Sequence, residues 1–564
     1  MKKAHPQVDS GLLRTKTAVA DKAPYLWATI SMVVGLLAAA ITLKNGAISI
    51  MAPWDVFLLL DGGWRIHVGQ IPHLDFYNPI GPLTYQLISF GMLIKGPSTG
   101  AIAIGIVVFL VVIVPWAWVI CSHRLSGFLA AVFTTFVSII VVAARPLGYE
   151  PEITTYAMLY NRFGWVLLSV LCVQIFIPLR KVSQRSYVLE GVSIGALLCL
   201  LFLCKVNFFG MAVLGVLLAS VLRPDLRQSI PYQMVAFIGI CVVWWLALGS
   251  SPFDYLADLR SAAEAQSLRH RADLLIATAK ENATAIYLLA VFGISALLLR
   301  FCGERGPALN RAVIRLTMTL IFLVVATLLI AAGNAPEGRD LPLWFVGSIM
   351  VMQFMADHRQ PESQPYFTPS HVVFILTAAI AIPFLCGHIM YKDMLSLAYA
   401  TKRNAYKTSL ITQSQRFQSK SLQDFVIPES AEWRTAYGRA KNVPARINDG
   451  IRLLRRYVKE DSRIYTLAFA NPFPFALQLP SPKGGPLWWD LNYSISKEKL
   501  PKAANVFGDV DFVMIPRYRE DDDGCCWETA RLLLETYGPY LDKFFPEIDR
   551  TDYWILRRLG DYRE

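Results

Sequence analysis

Eleven apolar runs of near-membrane length leave this chain few folds to choose from. They occupy 25–43, 100–120, 126–145, 163–179, 187–205, 207–222, 231–250, 284–301, 313–333, 341–357 and 371–391. A helix needs about 20 apolar residues to cross a hydrocarbon core roughly 30 Å thick. Of the 564 residues only 17% are charged and 54% are hydrophobic, whereas a soluble domain is about one-quarter charged. The pattern predicts an α-helical polytopic membrane protein with about eleven transmembrane helices. A twelfth run, 83–95, has thirteen residues; at about 1.5 Å per residue it reaches about 20 Å, too short to cross.

Charge tests that count. With 83–95 lying flat at the interface, the N-terminus and the basic loops (His123/Arg124, Arg180/Lys181/Arg185, Arg223/Arg227, Arg300/Arg305/Arg311/Arg315) all fall on one side. Cytoplasmic loops favour Lys and Arg, so that side is predicted to be the cytoplasm. The same bias accounts for the net charge of +12, and no nucleic-acid partner is expected. The predicted organisation is a cytoplasmic N-terminus (1–24), a transmembrane domain (25–391) with an outward loop at 54–97, and a small α/β domain (392–564). Strands are expected at 463–470, 511–516 and 553–559, and an amphipathic helix at 526–537. The basic N-terminus leads into a long apolar run without a small-residue cleavage site, which reads as a retained first helix. The nine cysteines lack metal-ligand spacing. Cys525-Cys526, in the outward domain, are assigned no chemistry.

The stretch LLLDGGWRIHVGQIPHLDFYNPIGPLTYQL, residues 58–87, crowds ionisable groups beside the bilayer. Residues 54–69 fit a short amphipathic helix, ended by Gly69, Pro72 and Pro79, and Gly81-Pro82 starts the helix at 83–95. Asp55, Asp61 and Asp75 are placed on the same side as Arg145, Arg162, Lys205, Arg260, Arg269, Arg271 and Arg339. Carboxylates above a ring of cations at the mouth of a helical bundle describe a site for an anionic substrate.

Those elements resemble a known family. Asp55, Gly69, Pro72, Asp75-Phe76 and Gly81-Pro82-Leu83-Thr84-Tyr85 are similar to the first periplasmic loop of GT-C glycosyltransferases. The nearest likeness is to lipid A aminoarabinose transferases, protein mannosyltransferases and rhizobial lipid A glycosyltransferases. LLCLLFLCKVNFFG, with Lys205, and MLYNRFGW, residues 158–165, resemble two further elements of that family. Two departures stand out. Asp55 is followed by Val56 where the family often has Glu, and Asn78-Pro79-Ile80-Gly81 lacks a Lys found in many relatives.

The resemblance implies a GT-C fold with two periplasmic juxtamembrane helices in a bacterial inner membrane. It implies transfer of a sugar from a polyprenyl-phosphate donor to a lipid, polysaccharide or protein acceptor, with inversion. Such chemistry needs a general base for the acceptor hydroxyl and cations for the departing phosphate. Asp55 is the expected base and Asp61 its rival, with Asp75, Glu150 and Glu152 behind them. Lys205 is the expected phosphate partner. Arg162 and Arg339 are secondary candidates, and Asp75, Tyr85 and Glu152 complete the expected substrate-binding set. A helix carrying Arg260, Arg269, His270 and Arg271 is placed to close over the donor. No cofactor is expected; a divalent metal on His67, His73 and Asp75 fits no strong spacing. The competing readings are a transporter or flippase, a ligase using a diphosphate-linked glycan, and a non-catalytic protein whose outward tail binds a partner.

Overall fold

The computed structural model describes residues 10–45, 49, 52–180, 183–265, 268–301, 307–333, 340–357, 375–376, 379–405, 416–427, 443–491, 493–498, 500–517 and 524–560. Among these residues six helices are long and apolar enough to cross a membrane. They lie within α1 (Ser10–Asn45), α4 (Ala101–Ser122), α6 (Leu159–Phe176), α7 (Gln184–Cys204), α9 (Ile230–Leu248) with its preceding 3₁₀ turn, and α13 (Pro307–Ala332). A seventh arises if α11 (Leu268–Glu281) and α12 (Ala283–Phe301), bent by 70° at their break, form one broken span. α5 (Gly127–Val142) and α8 (Val206–Leu222) are apolar but shorter, and α14 (Pro342–Asp357) follows them. This is a multi-pass membrane architecture. The eleventh expected run, 371–391, lies partly outside the described residues.

Within the bundle, small residues set how closely backbones approach. Side chains at Gly191 and Gly195 of α7 would overlap the Ser229 and Gln233 carbonyls at the start of α9. Such glycines are common where apolar helices pack by van der Waals contact. The end of α6 is closed by charge. Arg124 and Arg223 reach its last carbonyls at Gln174 and Ile175 and share the buried Glu190, at 2.8 and 3.5 Å. Arginines at a helix C-terminus satisfy its orphan carbonyls, and Glu190 balances the two buried cations.

Two short helices cap the other end. α2 (Pro53–His67) begins after Ala52, which is left-handed, and α3 is Leu83–Lys95. α3 has the expected thirteen residues. It runs antiparallel against the first turns of α4, where Gly91 abuts the Ala101 carbonyl and Gly105 the Leu87 carbonyl. Gly81, just before α3, sits on the end of α7: its amide donates to Cys204 O at 3.2 Å, and a Cβ there would collide with the Leu203 carbonyl. Gly62 of α2 likewise leaves room for the Tyr85 ring. The helix–turn–helix pair is therefore seated directly on the terminus that carries Lys205.

A further helix, α15 (His388–Ala405), runs through the expected boundary at 391/392. The C-terminal sheet has the order β1-β2-β4-β3, from Ile464–Thr466, Phe512–Pro516, Trp554–Arg558 and Glu547–Arg550, with β1 parallel to β2 and the remaining pairs antiparallel. Three strands fall in the expected places; Glu547–Arg550 adds a fourth, too polar to read as a strand. Alternation places Val513 and Ile515 against the helix Gly524–Phe544, while Phe512 and Met514 join the core that continues into the bundle. One face of this small sheet is thus buried against the rest of the molecule.

Candidate active site

The C-terminal domain is fastened to the loop between α2 and α3. Asp75 O accepts from the Gly484 amide (2.7 Å), Gly485 O from the Tyr77 amide (3.3 Å), and Tyr77 O from the Leu487 amide (2.9 Å). Gln70 and Arg65 donate to the carbonyls of Ser481 and Pro482, at 2.5 and 2.6 Å. Lys483 pairs with Asp75 at 3.0 Å. Asp61 is fully buried at the centre of this seam, 3.0 Å from Arg65 Nε and 3.3 Å from the Ser481 hydroxyl. Asp61 and Asp75 therefore hold two parts of the chain together.

Asp55 stands apart from that seam. It occupies the first turn of α2, where the helix dipole favours a carboxylate. It keeps some exposed surface, yet enough protein surrounds it that burial pushes its carboxyl up to about 7, helped by the negative charge of Asp490. Asp490 comes from the C-terminal domain and is itself raised to about 7 by burial. A tight turn holds it: Tyr493, Ser494 and Ile495 all donate to its carbonyl, and its own amide donates to Ser494 Oγ. Tyr77 Oη donates to the Ser494 carbonyl at 3.2 Å, tying that turn to the first loop. Tyr85 lies between Asp55, Asp61 and Tyr255; burial and those carboxylates push its hydroxyl up, and its oxygen has no hydrogen-bond partner among the described residues.

The cations gather at the head of α6. Lys205, extended between α7 and α8, donates from Nζ to Asn161 Oδ1 at 3.1 Å and lies 5.0 Å over the Tyr160 ring. The next residue, Arg162, is buried, and none of its three guanidinium nitrogens has a hydrogen-bond partner among the described residues. Its charge is faced by the buried Asp393 carboxylate without a hydrogen bond between them, and the open guanidinium donors suit a phosphate oxygen. Beside it, Arg145 is satisfied by Asp340 (3.2 Å) and Asp393 (2.8 Å), and Asp340 also meets His388 at 2.6 Å. The hydroxyls of Ser49, which precedes α2, and Thr155 lie 3.0 Å apart, and Tyr156, the next residue, is electrostatically coupled to Arg162.

Of the other expected residues, Glu150 reaches the edge of this cluster through Lys392, 3.2 Å away and itself 3.9 Å from Asp340, and Glu152 is half-buried in the same loop. Arg260 is exposed and pairs with Glu264. Arg339 and the side chains of Arg269, His270, Cys525 and Cys526 lie outside the described residues. His73 bonds Asp258, and Asp75 bonds Lys483, so the two turn away from a common ion. Among the described residues no three His, Cys, Asp or Glu side chains converge. Sequence reasoning missed Asp490, Asp340 and Asp393. An acid between Trp489 and Leu491 in an otherwise apolar stretch is the one signal that marks Asp490.

No protein-family model matches the chain, and no curated protein matches it. Among solved structures, the archaeal oligosaccharyltransferase AglB from Archaeoglobus fulgidus, in complex with an inhibitory peptide and a dolichol-phosphate, is similar at 10% identity with a TM-score of 0.35. The match covers 94% of this chain and 76% of that one. What the site does follows from its own side chains.

Proposed function

We propose that the protein is a GT-C-type membrane glycosyltransferase that moves a sugar from a polyprenyl-phosphate donor to an acceptor hydroxyl at the periplasmic face of a bacterial inner membrane. On this reading the cap of α2, α3 and the C-terminal domain faces the periplasm, the bundle supplies about eleven spans, and the donor chain stays in lipid. The observation that carries the reading is the Arg162 guanidinium, buried with none of its nitrogens hydrogen-bonded among the described residues and its charge faced by Asp393. Open donors of a fixed cation at the end of a spanning helix are suited to a lipid-borne phosphate.

Asp55 acts as general base. A carboxyl raised to about 7 is partly ionised near neutrality and basic enough to accept a proton from a hydroxyl as it attacks. The acceptor oxygen forms a bond to the anomeric carbon while the bond from that carbon to the phosphate oxygen breaks. The electron pair leaves with the polyprenyl phosphate, whose growing charge Arg162 and Lys205 stabilise, and the proton ends on Asp55. A single displacement of this kind inverts the anomeric centre. Asp61 is the weaker candidate for base because Arg65 and Ser481 already occupy its oxygens.

The test is transfer from a synthetic polyprenyl-phosphate sugar by purified protein, with Asp55→Asn as the comparison. Loss of turnover at unchanged folded yield is expected. Full turnover by the Asn variant, or retained configuration in the product, contradicts the mechanism; equal lipid transport by both proteins supports the flippase alternative.

A further inference from the structure

Two arginines meet one carboxylate on unequal terms. Arg145, just after α5, is buried; its Nε donates to Asp393 Oδ1 at 2.8 Å, and its Nη1 donates to Asp340 Oδ2 at 3.2 Å and to the Tyr149 carbonyl at 2.5 Å. Arg162 faces the charge of Asp393, but none of its guanidinium nitrogens is hydrogen-bonded among the described residues. The second oxygen of Asp393, Oδ2, is buried and likewise has no described hydrogen bond. Asp393 thus lies in the field of two guanidinium groups and is bonded to one. Arg260, on α10 (Pro252–Ala265), is exposed and pairs within its own helix, so it offers no buried fork.

Asp340 is held more firmly. His388 Nδ1 meets its Oδ1 at 2.6 Å, and Lys392 Nζ stands 3.9 Å from the Oδ2 that Arg145 uses. His388, Lys392 and Asp393 all come from the first turns of α15. Without Arg145, Asp340 keeps those two partners, whereas Asp393 loses the cation that bonds it. A buried carboxylate left alone is costly, and the other guanidinium that its charge reaches is Arg162. A carboxylate closing on Arg162 occupies the same fork of donors that a phosphate takes.

We propose that Arg145 is a positioning residue for donor binding: by holding Asp393 it keeps that carboxylate off Arg162, whose guanidinium stays open to the phosphate of the lipid-linked sugar. The role rests on the assignment of Arg162 to the donor phosphate. An incoming phosphate then meets a free fork and has no internal carboxylate to displace. The displacement cost, where it exists, is the same for bound donor and transition state, so Arg145 acts on donor affinity more than on turnover.

Full-length protein in detergent is titrated calorimetrically with farnesyl phosphate. Arg145→Met should weaken binding about tenfold, the scale of coupling between neighbouring charged groups, and adding Asp393→Asn should recover most of the loss. Arg145→Met with Asp340→Asn restores the same net charge but removes an acid that His388 and Lys392 hold, and should recover little. Asp393→Asn alone keeps the side-chain shape and should bind at least as tightly as wild type; it serves if Arg145→Met does not fold. With a synthetic polyprenyl-phosphate sugar, Arg145→Met should raise KM and leave kcat nearly unchanged. Equal recovery by the two Asn changes assigns the effect to net charge and overturns the proposal, as does weaker binding by Asp393→Asn. Binding that falls in Arg162→Gln but is unmoved in Arg145→Met overturns the positioning role alone. Binding unmoved in Arg162→Gln, or absent in the wild type, overturns the phosphate assignment of Arg162 and this role with it.

Discussion

Asn161 Oδ1 holds Lys205 Nζ at 3.1 Å, and the residue after Asn161 is the buried Arg162. One carboxamide therefore fixes the ammonium from the α7–α8 junction at the head of α6. Arg162→Gln should lower kcat/KM by about 10²-fold, the scale seen when one donor to a developing oxyanion is removed. Steady-state kinetics at unchanged folded yield checks this, and an unchanged kcat/KM contradicts the assignment.

Asp490 should act through Asp55. Its negative charge helps raise the Asp55 carboxyl to about 7, so Asp490→Asn should move the acidic limb of the pH–rate profile to lower pH while turnover persists. An unmoved limb removes Asp490 from the site.

The same pair sets a pH dependence of stability. Both carboxyls rise from 3.8 to about 7 on folding, so the folded state holds more protons between those values. This contribution is complete below the unfolded value and is lost as pH rises through about 7. At pH about 8 either Asp→Asn change should stabilise the protein, which thermal melting across pH reports.

The seam between the first loop and the C-terminal domain rests on Asp61. Asp61→Ala leaves Arg65 buried beside Gln70 and Pro482 without its carboxylate, and should destabilise by about 3–5 kcal/mol. Asp61→Leu with Arg65→Met should recover much of that, as paired replacement of buried ions often does. Denaturant unfolding of both variants decides it.

Gly81→Ala forces a methyl against the Leu203 carbonyl, a rigid backbone obstacle, and should cost about 1–3 kcal/mol. Gly210→Ala, in mid-α8 with open space around it, should instead be neutral or gain about 0.5–1 kcal/mol. Relative melting temperatures separate the two.

The apolar runs were legible because helix length against bilayer thickness is a one-dimensional property of the chain, and α1, α4, α6, α7, α9 and α13 appear where that length places them. The two short helices were legible as helices, through Gly69, Gly81 and a thirteen-residue run, but the antiparallel packing of α3 along α4 was not. Strand Glu547–Arg550 was not, because its residues stay partly or fully exposed and it pairs only with β4. The sequence alone placed Asp55, Asp61, Arg162 and Lys205 on the cap-side ends of their segments. Only the tertiary structure separated Asp61, tied to Arg65 and Ser481, from Asp55, and only it set Asp490 against Asp55 from more than four hundred residues away. Burial and charge proximity are properties of the packed chain, and no local pattern of residues records which carboxylate is engaged by a cation and a hydroxyl.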